Sequence, residues 1–216
     1  MTLVSAHRGG GEFAPRGSWQ AYVAAVGLGV DLIEIDVRKR ADGALVCGHD
    51  ALVGGEPTVQ DVLALAAGSE VGAHVDLKEA GYEAELVELT IRTGVSPVYY
   101  TTGIDESVAA LRAAGAEALL TLGPALRGLS PIAKARALWR VAVPFGRITR
   151  CDARGVAAQF RLAGPLLRWW CRRRGLAVLV WTVNDDRRLR YFLHGRSVTA
   201  VVTDRPERAM ALRNSG

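Results

Sequence analysis

The sequence predicts an α/β fold in which eight parallel strands close into a (β/α)8 barrel. Three observations predict it. Short β-rich runs alternate with helical stretches along the whole of the 216-residue chain, and that alternation implies a parallel sheet. The runs number eight, the barrel number, once one hairpin addition is set aside. The conspicuous polar residues follow or end these runs, and the carboxyl ends of the strands are where a barrel builds its site.

Taken in order, the expected strands are Leu3 to Ala6, Leu32 to Val37, Ala73 to Leu77, Val98 to Thr101, Ala118 to Leu122, Arg147 to Cys151, Ala177 to Thr182 and Ala200 to Thr203. The run Ala44 to Cys47 follows the second strand after only the turn Ala41-Asp42-Gly43, so it reads as a hairpin insertion. Helical apolar spacing covers Ser18 to Leu28, Thr58 to Ala67, Tyr82 to Thr93 and Asp105 to Ala114. Thr58-Val59-Gln60-Asp61 resembles a capping box, and Asp105 or Ser107 is placed to cap its helix. Gly115 and Gly175 stand where helix C-cap glycines are expected. Without a linker or a shift in composition, residues 1–216 read as one domain.

Bulk properties narrow the classes. With 50% hydrophobic and 23% charged residues the chain has material for a large core, and no disordered or fibrous reading is needed. Its net charge of +5 is carried mainly by arginine, since lysine occurs only at positions 39, 78 and 134. That charge favours phosphate-bearing partners, but the arginines form no basic arm or module for nucleic acid. Cys47, Cys151 and Cys171 are odd in number and lack CxxC spacing, which argues against a disulfide framework and a zinc site. The first residues carry neither a basic nor an apolar leader segment, and no apolar run reaches membrane-spanning length. A cytoplasmic protein is the expectation. The cluster Arg172-Arg173-Arg174 reads first as the solvated carboxyl end of a helix. Contact of Trp169 and Trp170 with a membrane surface is the sharper alternative.

The chemistry-bearing residues begin with His7-Arg8-Gly9, directly after the first strand. The guanidinium of Arg8 suits phosphate oxygens. In Ile33-Glu34-Ile35-Asp36-Val37, alternation puts Glu34 and Asp36 on one strand face. Two carboxylates side by side in a barrel repel unless a cation or a shared proton compensates. An oxygen-only ligand set points to a hard cation, Mg2+ or Ca2+. His49-Asp50 ends the hairpin, and comes near Glu34 and Asp36 if that hairpin returns over the barrel mouth. In His74-Val75-Asp76-Leu77-Lys78, Asp76 completes a three-carboxylate cluster and Lys78 balances its charge or meets a phosphate oxygen. His74, deepest on that strand, reads as a hydrogen-bonded core histidine. Trp181, at a strand end in Trp181-Thr182-Val183-Asn184, either caps the core or lines a substrate pocket.

In order, these pieces resemble the glycerophosphodiester phosphodiesterase family. The matching text is Ala6-His7-Arg8-Gly9, then Gly29 to Val37 with Asp42-Gly43 and His49-Asp50, then Asp76-Leu77-Lys78, Trp181-Thr182-Val183-Asn184 and Val202-Thr203-Asp204-Arg205-Pro206. The resemblance implies a barrel of the phospholipase C-like phosphodiesterase type, acting on a small-molecule glycerophosphodiester to give glycerol 3-phosphate and an alcohol. It implies one divalent cation on Glu34, Asp36 and Asp76, an acid–base pair of His7 and His49, and Arg8 and Lys78 beside the phosphate.

Two departures stand out. The family carries Pro-Glu-Asn-Thr after its His-Arg-Gly loop, where this chain has Pro15-Arg16-Gly17-Ser18. Its third metal ligand is usually glutamate, where this chain has the shorter Asp76. The second departure also resembles sphingomyelinase D-type phospholipases, which release a cyclic phosphate. The first admits a barrel that binds phosphodiesters without turning them over.

Overall fold

In the computed structural model, which describes residues 1–123, 130, 144–195 and 197–215, nine strands form one sheet. The strands are β1 (Leu3–Ala6), β2 (Leu32–Lys39), β3 (Leu45–Cys47), β4 (Gly72–Leu77), β5 (Val98–Thr102), β6 (Ala118–Leu122), β7 (Gly155–Gln159), β8 (Ala177–Trp181) and β9 (Ala200–Thr203). Eight of them run parallel in the order β1-β9-β8-β7-β6-β5-β4-β2, and the β1–β2 pairing closes the ring. Strand β3 is antiparallel to β2 and lies outside the ring, as the short turn before it predicts. The chain is a (β/α)8 barrel.

The helices described are α1 (Trp19–Gly27), α2 (Val59–Ala67), α3 (Glu83–Thr93), α4 (Asp105–Ala113), α5 (Phe145–Arg150), α6 (Pro165–Arg173), α7 (Asp186–Leu193) and α8 (Pro206–Asn214). Their starts follow from local chemistry. The Ser18 side chain accepts from the Ala21 amide, and that of Thr58 from the Asp61 amide. Each satisfies a helix N–H that has no partner within its own helix. Neither Asp105 nor Ser107 caps α4. Ile104 holds that position, and Asp105 lies in the first turn, ion-paired with Arg147. All three cysteines are free and buried.

Strand alternation sorts the core into two layers. Ile33, Ile35 and Val37 of β2 pack outward with the helices, in one cluster with Val59, Val62 and Leu63 of α2. Leu32, Leu119, Ala157, Leu179 and Ala200 form a separate cluster that fills the barrel interior. Glu34 and Asp36, two and four residues after Leu32, therefore stand above an apolar floor.

One predicted strand is wrong. Residues 147–151 are not a strand; Phe145–Arg150 is the helix α5, entered from Pro144, and the strand of the ring is Gly155–Gln159. Strand β7 is built of small residues for a steric reason. A Cβ on Gly155 would lie 2.2 Å from the Ala177 carbonyl oxygen of β8, so only glycine permits this pairing. Gly155→Ala is expected to lower unfolding free energy by about 1–3 kcal/mol, because backbone on a central strand cannot step aside. Urea denaturation checks this, and an unchanged midpoint would contradict it.

Candidate active site

A cavity of about 220 Å³ opens among the residues at the carboxyl ends of the strands. It is lined by all eight residues singled out from the sequence: His7, Arg8, Glu34, Asp36, His49, Asp76, Lys78 and Trp181.

At its centre Glu34, Asp36 and Asp76 converge, each offering an oxygen within 4.8 Å of the others. Register brings them together. Asp36 lies beside Asp76 across the β2–β4 pair, and Glu34 stands two residues deeper on β2. Two cations face these three carboxylates. Lys78 Nζ is 2.6 Å from Asp36 Oδ1 and 2.5 Å from Asp76 Oδ2, and Arg8 Nε is 3.6 Å from Asp36 Oδ2. The last distance is too long for a hydrogen bond.

One negative charge is left over, and the electrostatics register it. Burial and then the Asp36 and Asp76 carboxylates push the Glu34 carboxyl well above its usual range. Burial would raise Asp36 too, but the Lys78 ammonium outweighs it and holds Asp36 low. Among the described residues, neither Asp36 Oδ2 nor Arg8 Nε has a hydrogen-bond partner, although both atoms are buried. Buried polar groups normally have partners, so these two atoms suit contact with a bound group. An all-oxygen donor set with surplus negative charge fits a hard divalent cation.

The first histidine is set by a tight turn. His7–Gly9 forms a single 3-10 turn with Arg8 in the left-handed region at φ 49°. Gly9, at φ 78°, presses on the α1 backbone so closely that a Cβ would lie 2.6 Å from Ala21 C. This fold-back lets the Arg8 amide donate to Glu34 Oε2 at 2.8 Å. His7 Nδ1 then meets Asp204 Oδ1 at 2.7 Å. The other Asp204 oxygen accepts from Asn184 Nδ2 at 2.6 Å, and Asn184 Oδ1 accepts from the Asp204 amide at 2.9 Å. Burial alone would raise Asp204, but its hydrogen bonds from His7, Arg16 and Asn184 hold it well below the usual carboxylate range. A fixed anion on Nδ1 orients the ring and leaves Nε2 for proton transfer.

His49 arrives by the hairpin. The Gly48 amide donates to the Asp36 carbonyl at 2.9 Å, which folds the segment after β3 back over β2. The Arg38 guanidinium donates to the His49 carbonyl oxygen from Nε at 3.2 Å and Nη2 at 3.1 Å. The ring stays partly exposed, with Nδ1 3.0 Å from Asp50 Oδ1.

His74 behaves as a core histidine. It is buried between Ser5 and Thr101, with Nε2 3.0 Å from Thr101 Oγ1. Thr101 donates its hydroxyl proton to Asp76 Oδ1, so its oxygen must accept from His74 Nε2–H. Burial pushes the imidazole down to about 4 from 6.5. Between those values the unfolded chain binds a proton that the folded chain excludes, so stability falls as pH drops from 6.5 towards 4, by about 3 kcal/mol in all. His74→Gln keeps a donor and removes the titration, so it should flatten that part of the pH–stability curve. Chemical denaturation at pH 7 and pH 4 measures it, and an unaltered slope would acquit His74.

Trp181 caps the interior and borders the cavity. Its Nε1–H donates to the Ala157 carbonyl at 2.9 Å, its ring packs on the interior cluster, and it lines the cavity. The altered loop is accounted for in part. Arg16 Nη1 donates to Asp204 Oδ1 at 2.8 Å, the oxygen that holds His7. Glu12 accepts from the Glu207 amide at 3.0 Å at the start of α8, and does not line the cavity. Asp204 and Asn184 have roles that the residue pattern did not assign. Their signal was position, since both follow the carboxyl ends of strands.

Three comparisons bear on this arrangement. A model of the glycerophosphoryl diester phosphodiesterase family matches residues 7–67. A curated glycerophosphodiester phosphodiesterase of Caldanaerobacter subterraneus subsp. tengcongensis is 26% identical over 244 aligned positions, spanning 100% of this chain and 99% of the relative. Two solved structures share the fold. An Agrobacterium tumefaciens glycerophosphodiester phosphodiesterase superposes with a TM-score of 0.76 at 23% identity, over 98% of this chain and all of that one. An Oleispira antarctica phosphodiesterase, solved with the product sn-glycerol-3-phosphate, superposes with a TM-score of 0.77 at 17% identity, over 99% of this chain and 97% of that one. With the ordered sequence motifs and the shared barrel, these matches make the chain similar to the glycerophosphoryl diester phosphodiesterase family in its first third and in its fold.

Proposed function

We propose that the protein is a metal-dependent phosphoric diester hydrolase that cleaves glycerophosphodiesters to glycerol 3-phosphate and an alcohol. The observation that carries this reading is the three-carboxylate cluster of Glu34, Asp36 and Asp76 in a cavity shared with His7 and His49. The relative from Caldanaerobacter is named for this activity, and the Oleispira structure holds its phosphomonoester product.

Glu34, Asp36 and Asp76 would hold one divalent cation, Mg2+ or Ca2+. When bound, it supplies Lewis-acid neutralisation of the non-bridging phosphate oxygens. Arg8 and Lys78 share that charge from the cavity wall, where donors fixed in advance favour the transition state over the ground state. One histidine takes the proton from the nucleophile, either the substrate's own 2-hydroxyl or a water. The other gives a proton to the departing alcohol oxygen. The Asp204 carboxylate stabilises His7 whenever the ring is protonated, and Asp50 faces His49 in the same way. Trp181 offers an apolar wall to the glycerol carbons.

Phosphorus NMR with glycerophosphocholine and Mg2+ or Ca2+ tests the reading. Conversion of the diester signal to a linear phosphomonoester supports it. A cyclic phosphate that persists would instead support the lyase-type branch that Asp76 resembles. Metal binding without any turnover would mark a binding protein.

A further inference from the structure

The outer face of α6 is not that of an ordinary solvated helix. At 100° per residue, Pro165, Leu166, Trp169, Arg172 and Arg173 fall in one sector about 120° wide. All five are exposed, while Leu167, Arg168 and Cys171 face inward. Leu166 is 67% exposed and Trp169 54%. The first two turns of this face are therefore apolar and the last is basic. The outer face of α3 shows the ordinary case, a single large exposed apolar residue, Ile91, among Glu85, Glu88 and Arg92, with Arg92 paired to Glu88. Trp170, by contrast, packs its ring 4.7 Å from that of Phe145 and is half-buried.

The charge on this face is unbalanced. No acidic residue occurs in α6. Among the described residues neither Arg172 nor Arg173 has an ion-pair partner, whereas Arg205 and Arg208 both reach Asp186. Trp169, Arg172 and Arg173 line a surface concavity of about 470 Å³, with the Arg173 guanidinium 5.4 Å over the Trp169 ring. The loop that enters α6 adds to it. There Phe160 lies between the exposed guanidinium groups of Arg161 and Arg188, at 5.5 Å and 4.7 Å from its centroid. This loop leaves the carboxyl end of β7, the end of the barrel at which the candidate active site opens.

We propose that this face docks the barrel on a bilayer rich in anionic phospholipid. Leu166 and Trp169 enter the interfacial layer, where an aromatic ring with a polar edge is most at home. Arg172 and Arg173 take headgroup phosphates in the concavity, and Arg161 and Arg188 meet the surface beside the barrel mouth. The unpaired arginines select an extended anionic surface, and the apolar residues among them select one with an oily layer beneath. A phosphate backbone would match the charge but leave Leu166 and Trp169 in water.

The test is vesicle flotation of the full chain at low and high salt. Vesicles are either phosphatidylcholine alone or equal parts phosphatidylcholine and phosphatidylglycerol. The protein should float with the mixed vesicles, weakly at high salt, and stay behind with phosphatidylcholine alone. Trp169→Ala should weaken partitioning about tenfold, and the pair Arg172→Gln and Arg173→Gln should remove the preference for the anionic lipid. Circular dichroism and thermal melting confirm that these surface variants stay folded, and Leu166→Ser gives a second route to the apolar contribution. Failure to float with mixed vesicles overturns the proposal, as does equal flotation with phosphatidylcholine. So does flotation of both variants at the wild-type level. A single-stranded oligonucleotide bound as tightly as the mixed vesicles, and unaffected by Trp169→Ala, would assign the face to nucleic acid instead. Because the readout is binding, its outcome stands apart from whether the cavity cleaves diesters.

Discussion

Replacing His7 or His49 by alanine should lower kcat for diester cleavage by about 10²–10⁴, the range expected when a positioned acid or base is removed. Neither ring is part of the core, so thermal stability should change little in the same variants. The argument for His7 extends to its support. Asp204→Asn keeps the shape of the contact but exchanges the anion on Nδ1 for an amide that no longer favours the right tautomer or the protonated ring. A loss of about 10²-fold or more in kcat, with KM nearly unchanged, is expected. Arg16 shares the Asp204 oxygen with His7, so the altered loop acts on the same carboxylate. Steady-state kinetics on the variants check all of this. Full activity in His49→Ala would remove the acid–base pairing proposed here.

The second large effect concerns the carboxylate cluster. Chelation should abolish turnover, and Mg2+ or Ca2+ should restore it. Asp36→Asn should lower activity by roughly 10³-fold or more, since it removes both a proposed ligand and the charged partner of Lys78 and Arg8. The cluster also links cation binding to stability. A divalent cation that binds only the folded chain should raise unfolding free energy by about 2.7 kcal/mol at a hundred times its Kd. Its sign with pH is fixed by Glu34. Burial and the neighbouring carboxylates raise that group, so protons compete for it, and cation affinity should increase as pH rises. Calorimetric titration at two pH values measures this, and affinity that falls with rising pH would exclude Glu34 as a ligand.

Much of this site is legible in the residues because strand alternation is a local rule. Glu34 and Asp36 lie two apart between Ile33, Ile35 and Val37, and that pattern places them together on one face of β2, which the barrel reading makes the inner one. Asp76 on β4 and Lys78 just beyond its end follow the same rule, and the short turn before β3 marks the hairpin that carries His49. The rest is set by contacts distant in sequence. Asp204 meets His7 across 197 positions, and nothing near either residue announces the pairing. Strand β7 was missed for a related reason. Arg147-Ile148-Thr149 carries β-branched residues that favour a strand, yet it follows Pro144 and forms a helix whose Arg147 pairs with Asp105. Gly155-Val156-Ala157-Ala158 has little β-propensity, but the close approach of Ala177 demands glycine at position 155, and the Trp181 indole bonds to the Ala157 carbonyl. Tertiary fit overrides propensity at such places.

The central claim is that three carboxylates and two histidines act together on a phosphodiester. Phosphorus NMR on chelated enzyme, before and after adding Mg2+ or Ca2+, tests it most directly with glycerophosphocholine as substrate. The account predicts an unchanged diester signal before addition and its conversion to a phosphomonoester afterwards, and no conversion in Glu34→Gln either with or without the cation. Cleavage at full rate by the chelated enzyme, or by Glu34→Gln, would contradict it.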